Sequence, residues 1–136
     1  MKVNDYVRTK DGIIDKVIID YNGHCNSRSC NCKHISCKYN YYDEDTIIKS
    51  SPNIIELFEE HDLVVIEYYS LRYKERVTRL FEVDYKDKEF MTLKNAHCDF
   101  MLRNNEFNDE DKKLKPIIKS IVTCEQFSQM EYKVGE

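Results

Sequence analysis

The sequence predicts a mainly β fold of the α+β class, with two short helices. Runs rich in Val, Ile and Tyr recur along its 136 residues, and such runs are typical of half-buried strands. Turn signals separate these runs. The clearest is Asp11-Gly12, because glycine accepts a positive φ at little cost. With 41% hydrophobic residues, the chain can bury a core.

The strands are predicted in order along the chain. They cover residues 5–10, 13–21, 46–49, 63–70, 75–85, 90–94 and 116–122. Apolar residues in the second run, Ile14, Val17 and Ile19, do not alternate, which predicts a β-bulge or a strongly twisted strand. Residues 98–103 fit no single element.

Two helices are predicted from their start signals. Ser51-Pro52 opens the first, at 52–60, since serine caps free amides and proline suits the first turn. This helix should turn Ile54, Leu57 and Phe58 inward. The second begins after Thr123, which forms a capping box with Gln126. Phe127 and Met130 should face inward from that helix.

A repeated pattern in the sequence, which we call the sequence echo, indicates how the chain is divided into domains. A strand–turn–strand pattern occurs twice, ending in Asp20-Tyr21 and in Asp84-Tyr85. Small SH3-like barrel-type units begin in this way, so residues 1–50 are read as an N-terminal β-unit with a Cys-rich insert at 24–42. Residues 51–136 then form a helix, a second β-unit and a C-terminal helix or strand. Coincidence among short motifs, and one compact domain, are the alternatives.

Charge and hydropathy narrow the class of partner. The formal net charge of −4 disfavours general binding to nucleic-acid phosphates, which needs many Lys and Arg. No apolar run approaches the roughly 20 residues that span a membrane, so no membrane partner is expected. The charged start does not resemble a signal peptide, which predicts a cytoplasmic protein with reduced cysteines.

A cluster of cysteines and histidines predicts a structural zinc site. Zn²⁺ binds tetrahedrally to thiolate sulfur and imidazole nitrogen. The candidate ligands are Cys25, Cys30, Cys32, Cys37 and His34. The spacing of these residues matches no familiar zinc finger, so the prediction depends on the number of thiols and imidazoles within a short stretch of sequence. A loop of reduced cysteines without metal, or a regulatory disulfide, is the alternative.

Motifs of enzymes are missing from the sequence. It contains no phosphate loop, no nucleophile elbow and no His-Glu-x-x-His, and its three glycines cannot form a Gly-rich phosphate cradle. His97 stands beside Cys98, but neighbours in a strand point to opposite faces. No enzymatic activity is therefore expected.

Three surfaces are predicted to contact a partner. Tyr and Arg together are typical of interface hot spots and of single-strand stacking platforms. The first surface contains Tyr39, Tyr41 and Tyr42, and the second contains Tyr69, Arg72, Tyr73, Arg76 and Arg79. An acidic loop with Asp109, Glu110 and Asp111 is the third. Ordinary solvated surface is the alternative for each.

Three stretches resemble a known group when taken together. They are residues 3–10 (VNDYVRTK), 49–57 (KSSPNIIEL) and 118–127 (IKSIVTCEQF). They resemble small uncharacterised proteins of phages and prophages of Gram-positive bacteria. The Cys-rich insert departs from that group, as does His61-Asp62, where the group usually has Gly-Asp. The resemblance implies a phage origin, and phage accessory genes of this size frequently encode inhibitors of host defence, including anti-CRISPR proteins.

The leading hypothesis is a phage-encoded, non-enzymatic binding protein in the host bacterial cytosol. It would inhibit a host protein or ribonucleoprotein complex by occluding a nucleic-acid or partner surface. The negative charge favours a target with a basic channel over direct binding of nucleic acid. The alternative is a small nucleic-acid or nucleotide-binding protein with a structural zinc site.

Overall fold

Two antiparallel sheets contain most of the regular structure in the computed structural model, which describes residues 2–19, 34–96, 98–107 and 115–130. The predicted mainly β fold is therefore confirmed. The chain divides into two compact units, Met1–Leu57 and Phe58–Glu136. None of the helices in the described residues has the length and apolar character needed to cross a membrane.

The first unit is a five-stranded sheet in the order β4-β3-β2-β1-β5. The strands are β1 (Tyr6–Thr9), β2 (Ile14–Ile19), β3 (His34–Cys37), β4 (Tyr41–Asp43) and β5 (Ile47–Ser51). A 3₁₀ turn, Glu44–Thr46, joins β4 to β5. Two of these strands, β3 and β4, lie where the sequence indicated only a polar insert at 24–42. In β3, the buried residues Ile35 and Cys37 alternate with the more exposed His34 and Ser36. This period of two is that of a strand with one buried face, which explains why β3 forms.

Both local features predicted around β2 are present, namely the tight turn before it and the bulge within it. Gly12 has φ 82 and its amide donates to the Thr9 carbonyl at 3.0 Å, which closes the predicted turn. The register of β2 on β3 shifts between Val17 and Ile19, as the bulge prediction required. The core of this unit contains Val7, Val17, Ile35 and Cys37, with Tyr42 and Ile47 packed against it.

A charged side chain, Arg8, is also fully buried in this unit. Its Nη1 donates to the Leu57 carbonyl at 2.9 Å. Buried charges persist where hydrogen bonds replace their hydration. Arg8 thus ties strand β1 to the end of the segment that follows β5.

The helix predicted at 52–60 is wrong in type and length, because a short 3₁₀ helix, Ile54–Leu57, forms instead. Ser51 Oγ accepts the Asn53 amide at 3.0 Å, and Asn53 Oδ1 accepts the Ile55 amide at 3.1 Å. Such local side-chain bonds close a tight turn in competition with an α-helix. The inward residue of the Ile pair is consequently Ile55, while Ile54 is only half-buried.

The second unit is a six-stranded sheet in the order β10-β9-β8-β7-β6-β11. The strands are β6 (Leu63–Ser70), β7 (Glu75–Lys86), β8 (Phe90–Lys94), β9 (Asp99–Arg103), β10 (Glu106–Phe107) and β11 (Ile117–Val122). The segment 98–103, ambiguous in sequence, thus contains β9. One face is buried through Val64, Ile66, Phe81, Val83, Met91, Leu93 and Leu102.

Helix α1 (Cys124–Met130) starts with the predicted capping box. Thr123 Oγ1 accepts the Gln126 amide at 3.3 Å, and Gln126 Oε1 accepts the Thr123 amide at 3.1 Å. The prediction that Phe127 faces inward is wrong, since its side chain is 54% exposed. The capping residue Thr123, just before the helix, is fully buried. The side chain of Met130 lies outside the described residues.

Candidate partner-binding clefts

The hairpin between β6 and β7 presents large side chains to solvent. Residues 71–74 form its turn, in which Lys74 has a left-handed backbone with φ 53 and Ser70 Oγ accepts the Tyr73 amide at 3.3 Å. Leu71 is 83% exposed and Tyr73 is 55% exposed. Exposed apolar groups at an ordered hairpin tip are more typical of a contact site than of a solvated turn.

A cleft of about 400 Å³ adjoins this hairpin, and we call it the hairpin cleft. It is lined by residues 68–73 of the hairpin, by Val77 and Arg79 of β7, and by residues 98–100 around the start of β9. Three of the predicted contact residues of β6 and the turn, Tyr69, Arg72 and Tyr73, lie here together with Arg79.

Two lining residues of the hairpin cleft, Tyr68 and Phe100, belong to a packed aromatic cluster, and we call these two rings its floor. The Tyr68 and Phe100 rings meet edge to face with centroids 5.2 Å apart, and Phe81 lies 5.2 Å from Phe100. The Cys98 thiol donates to Tyr68 Oη at 3.4 Å. Burial, and then the contact with Cys98, raises the pKa of Tyr68 to about 12. The floor is therefore an uncharged aromatic surface.

Two guanidinium groups give the hairpin cleft its positive charge. The Arg72 guanidinium lies 5.5 Å from the centroid of the Tyr73 ring, and Arg79 Nη1 donates to the Thr78 carbonyl at 2.9 Å. Both side chains are exposed. Asp99 adds one carboxylate to the lining. An aromatic floor with two arginines at its rim suits an acidic or planar anionic group of a partner.

Of the five residues of the predicted Tyr/Arg surface, Arg76 alone does not line the hairpin cleft. Its Nε is 2.9 Å from Glu67 Oε2, and its Nη2 donates to the Lys115 carbonyl at 3.0 Å. The hydrogen bond from Arg76 lowers the pKa of Glu67. Although Arg76 lies opposite Tyr69 in the β6–β7 register, its guanidinium is bound by Glu67 and by the Lys115 carbonyl and does not line the cleft. Arg76 therefore links β6 to the segment before β11.

The predicted tyrosines of the first unit have different surroundings. Tyr39 and Tyr41 are exposed, whereas Tyr42 is half-buried and its hydroxyl donates to Asp15 Oδ2 at 3.0 Å. Burial and this hydrogen bond raise the pKa of Tyr42 to about 12. Tyr41 and Tyr42 border a second cleft, of about 320 Å³, which Tyr39 does not line.

The structure describes two of the five predicted zinc ligands. Cys25, Cys30 and Cys32 lie outside the described residues. Cys37 belongs to the core, where burial and then the charge of Asp15 raise the pKa of its thiol to about 11. His34 faces the other side of β3, with Nδ1 3.0 Å from Asp43 Oδ1. A single ion would therefore be bound by His34 or by Cys37, but not by both.

The zinc prediction is checked by elemental analysis of protein purified without added metal. About one Zn per chain is expected, and its binding requires deprotonated cysteines. Because the Cys37 thiol is buried in the core, Cys37→Ser should lower the free energy of unfolding, while the zinc content per chain should change little. The control is Cys98→Ser, outside the predicted cluster. Metal-free protein in which all cluster thiols react at once would contradict the prediction.

Two further groups contain acidic residues. The predicted contact residues Asp109, Glu110 and Asp111 lie outside the described residues. Glu59, Cys124 and Glu125 form a group that the sequence did not indicate, with candidate ligand atoms within 4.8 Å of one another. Only the fold brings these residues together, since Glu59 precedes β6 and the other two begin α1.

Comparisons of the chain with protein-family models, with curated proteins and with solved structures found no match. Function is therefore inferred from the clefts themselves. The hairpin cleft offers aromatic surface and positive charge, whereas the second cleft contains Asp11 and Asp43. The two clefts therefore differ in the charge of their lining.

Proposed function

We propose that this protein is a phage-encoded, non-enzymatic binding protein that inhibits a host defence complex. The inhibition is of the anti-CRISPR type, by occlusion of a nucleic-acid or partner surface on a host protein or ribonucleoprotein in the bacterial cytosol. The main support for a binding role is the hairpin cleft, in which the exposed Arg72 and Tyr73 lie beside the aromatic floor. The phage origin is supported by the resemblance of the three sequence stretches.

The hairpin cleft has the composition of an interface hot spot. Binding energy concentrates on Tyr, Trp and Arg side chains that enter desolvated pockets. Here Leu71 and Tyr73 provide apolar area, and Arg72 lies beside the Tyr73 ring before any partner arrives. Because the floor is already packed, little conformational entropy is lost when a partner docks.

The first unit is proposed to be an SH3-like barrel. The support is its strand order, in which β1 lies between β2 and β5, and the 3₁₀ turn that precedes β5. Small SH3-like barrels have this arrangement. The second unit has the same arrangement with one more strand, since the consecutive strands β6 to β10 lie side by side and the last strand, β11, pairs with the first, β6. This common pattern supports the hypothesis that the sequence echo marks two copies of one strand–turn–strand unit.

Truncation of the hairpin cleft is expected to weaken target binding strongly. Arg72→Ala and Tyr73→Ala should each cost about 2 kcal/mol or more, which is about a thirtyfold loss of affinity. The target is first captured from host lysate on the immobilised protein and identified by mass spectrometry. Affinities of the variants for that target are then measured by calorimetry.

The control is Tyr85→Ala, which removes a 48% exposed tyrosine from outside the cleft and should leave affinity unchanged. Titration of the target well above the dissociation constant should end at a whole-number ratio. Complete inactivation of the target by a hundredth of that amount would show a catalyst and refute occlusion. Equal losses for Tyr73→Ala and Tyr85→Ala would refute the hairpin cleft as the contact.

A nucleotide or a single strand of nucleic acid is the second candidate ligand. The observation that favours it is the concavity of the hairpin cleft, since sites for small molecules measure about 300–1,000 Å³. Bases stack on aromatic rings, and arginine binds phosphate. Gel shifts with short RNA and DNA at low and moderate salt separate this candidate from a protein target. Retention of binding at moderate salt would favour it.

A further inference from the structure

We propose that the first unit has a separate binding cleft for the guanidinium group of an arginine side chain on a basic partner. The site is the second cleft, of about 320 Å³, which we call the acidic cleft. Its lining comes from the β1–β2 turn, the start of β3, strand β4 and the 3₁₀ turn after β4. Those residues are Thr9, Asp11, Ile13, His34, Tyr41, Tyr42, Asp43 and Thr46.

Hydrogen bonds hold the walls of the acidic cleft in place. On one side, Thr9 Oγ1 accepts the Ile13 amide at 3.1 Å. On the other, the hydroxyl of Tyr42 donates to the buried Asp15, and Asp15 also accepts the Tyr39 amide at 3.2 Å. Thr46 Oγ1 donates to the Asp43 carbonyl at 2.7 Å. A ligand therefore meets a preformed surface, which reduces the entropic cost of binding.

The charge of the acidic cleft is negative. Asp11 and Asp43 contribute carboxylates from two different elements, and no lining residue is Lys or Arg. His34 Nδ1 lies 3.0 Å from Asp43 Oδ1. A carboxylate has about four acceptor positions, so this contact orients Asp43 and leaves it able to accept from a ligand. The cleft is complementary to a cation.

The ring of Tyr41 provides the second contact for a cation. It is 66% exposed and touches the His34 ring edge to face, with centroids 5.6 Å apart. Nearby tyrosines already have lysines over their rings, with Lys16 5.4 Å from the centroid of Tyr6 and Lys38 5.2 Å from that of Tyr39. In the described part of the chain, the Tyr41 ring has no such cation.

This pairing of a tyrosine face with carboxylates favours arginine over lysine. A guanidinium is planar, stacks on an aromatic ring and donates two parallel hydrogen bonds to one carboxylate. A lysine ammonium is a compact, strongly hydrated charge that gains less from the ring. The acidic cleft and the positively charged hairpin cleft thus recognise opposite charges, so this proposal does not depend on the proposed function.

The test is a titration of the full-length, ¹⁵N-labelled protein by NMR with three neutral-capped peptides. The probes are acetyl-Gly-Arg-Gly-amide, the same peptide with Lys, and the same peptide with citrulline, a neutral analogue of arginine. Saturable shifts are expected at residues 9–13, 34 and 41–46 with the arginine peptide. Binding of the lysine peptide should be weaker, and the citrulline peptide should give no saturable shifts.

Variants assign the contacts. Asp43→Asn and Tyr41→Leu should each weaken binding of the arginine peptide by about tenfold or more, since a hydrogen bond to a charged group is lost or the ring is removed. Asp11→Asn, in the exposed turn, repeats the charge test should Asp43→Asn disturb the fold. Tyr39→Leu and Tyr85→Leu, at exposed tyrosines that do not line the acidic cleft, are the matched controls, and both should bind as the parent protein does.

Three outcomes would overturn the proposal. Equal affinity for the lysine peptide would show recognition of charge alone. Shifts that do not saturate, or that lie outside the acidic cleft, would show the absence of a site. Unchanged binding by both Asp43→Asn and Asp11→Asn would remove the carboxylates from the recognition.

Discussion

Replacing Phe58 with alanine is expected to lower the free energy of unfolding by about 3–5 kcal/mol. The Phe58 side chain is completely buried, so the substitution removes a whole ring from packed surroundings and leaves a cavity. Because a core relaxes only partly, loss of contacts adds to the lost transfer free energy. Urea denaturation of the full chain, followed by circular dichroism, measures the change.

Phe127→Ala is the matched control for this prediction. Its ring is 54% exposed, so the same change of residue should shift the free energy of unfolding by no more than about 0.5 kcal/mol. Similar losses for the two variants would mean that burial does not set the contribution of these rings. The comparison also tests the correction at α1, where the sequence had placed Phe127 inside.

A second large effect is expected from Arg8→Ala, with a loss of about 2–4 kcal/mol in the free energy of unfolding. The substitution removes a fully buried guanidinium that donates to the Leu57 carbonyl at 2.9 Å. A hydrogen bond to a charged group contributes about 1.5–3 kcal/mol, and the packed arginine stem adds to this. Thermal and urea unfolding of the full chain provide the measurement.

Two further variants separate the causes of that loss. Arg8→Lys keeps the charge and much of the stem but not the planar donor fork, so it should recover only part of the stability. Arg72→Ala makes the same truncation at an exposed arginine and should be nearly neutral. A loss for Arg8→Ala no larger than that for Arg72→Ala would contradict the role assigned to Arg8.

Local signals in the sequence predicted the local structure well. The turn at Gly12, the bulge after Val17 and the capping box of Thr123 with Gln126 each depend on residues close together in the chain. The 3₁₀ helix after β5 was missed because the side-chain bonds of Ser51 and Asn53 outweigh the ordinary helix-start signal. Competing local interactions of this kind look alike in sequence.

The sequence predicted which residues share a site only where those residues come from strands adjacent in the chain. Tyr69 and Arg72 were expected to share a surface because β6 and β7 form a hairpin, and they do line one cleft. Phe100 reaches the same cleft from β9, through a pairing that no short motif encodes. The buried carboxylate of Asp62 likewise accepts the amide of Cys124, which lies 62 residues further along the chain, at 2.8 Å. Long-range contacts leave no local signature.

The left-handed backbone of His61, with φ 74, places histidine in a conformation that it rarely adopts. Glycine and asparagine tolerate that region best, and Asn4, Asn104 and Asn105 have it too. The resemblance to phage proteins implies glycine as the usual residue in this place. Histidine retains the turn here with an imidazole that Glu82 contacts at 3.1 Å, a contact that raises the pKa of His61. The turn thus places an ionisable side chain against Glu82 at a position where the backbone alone would favour glycine.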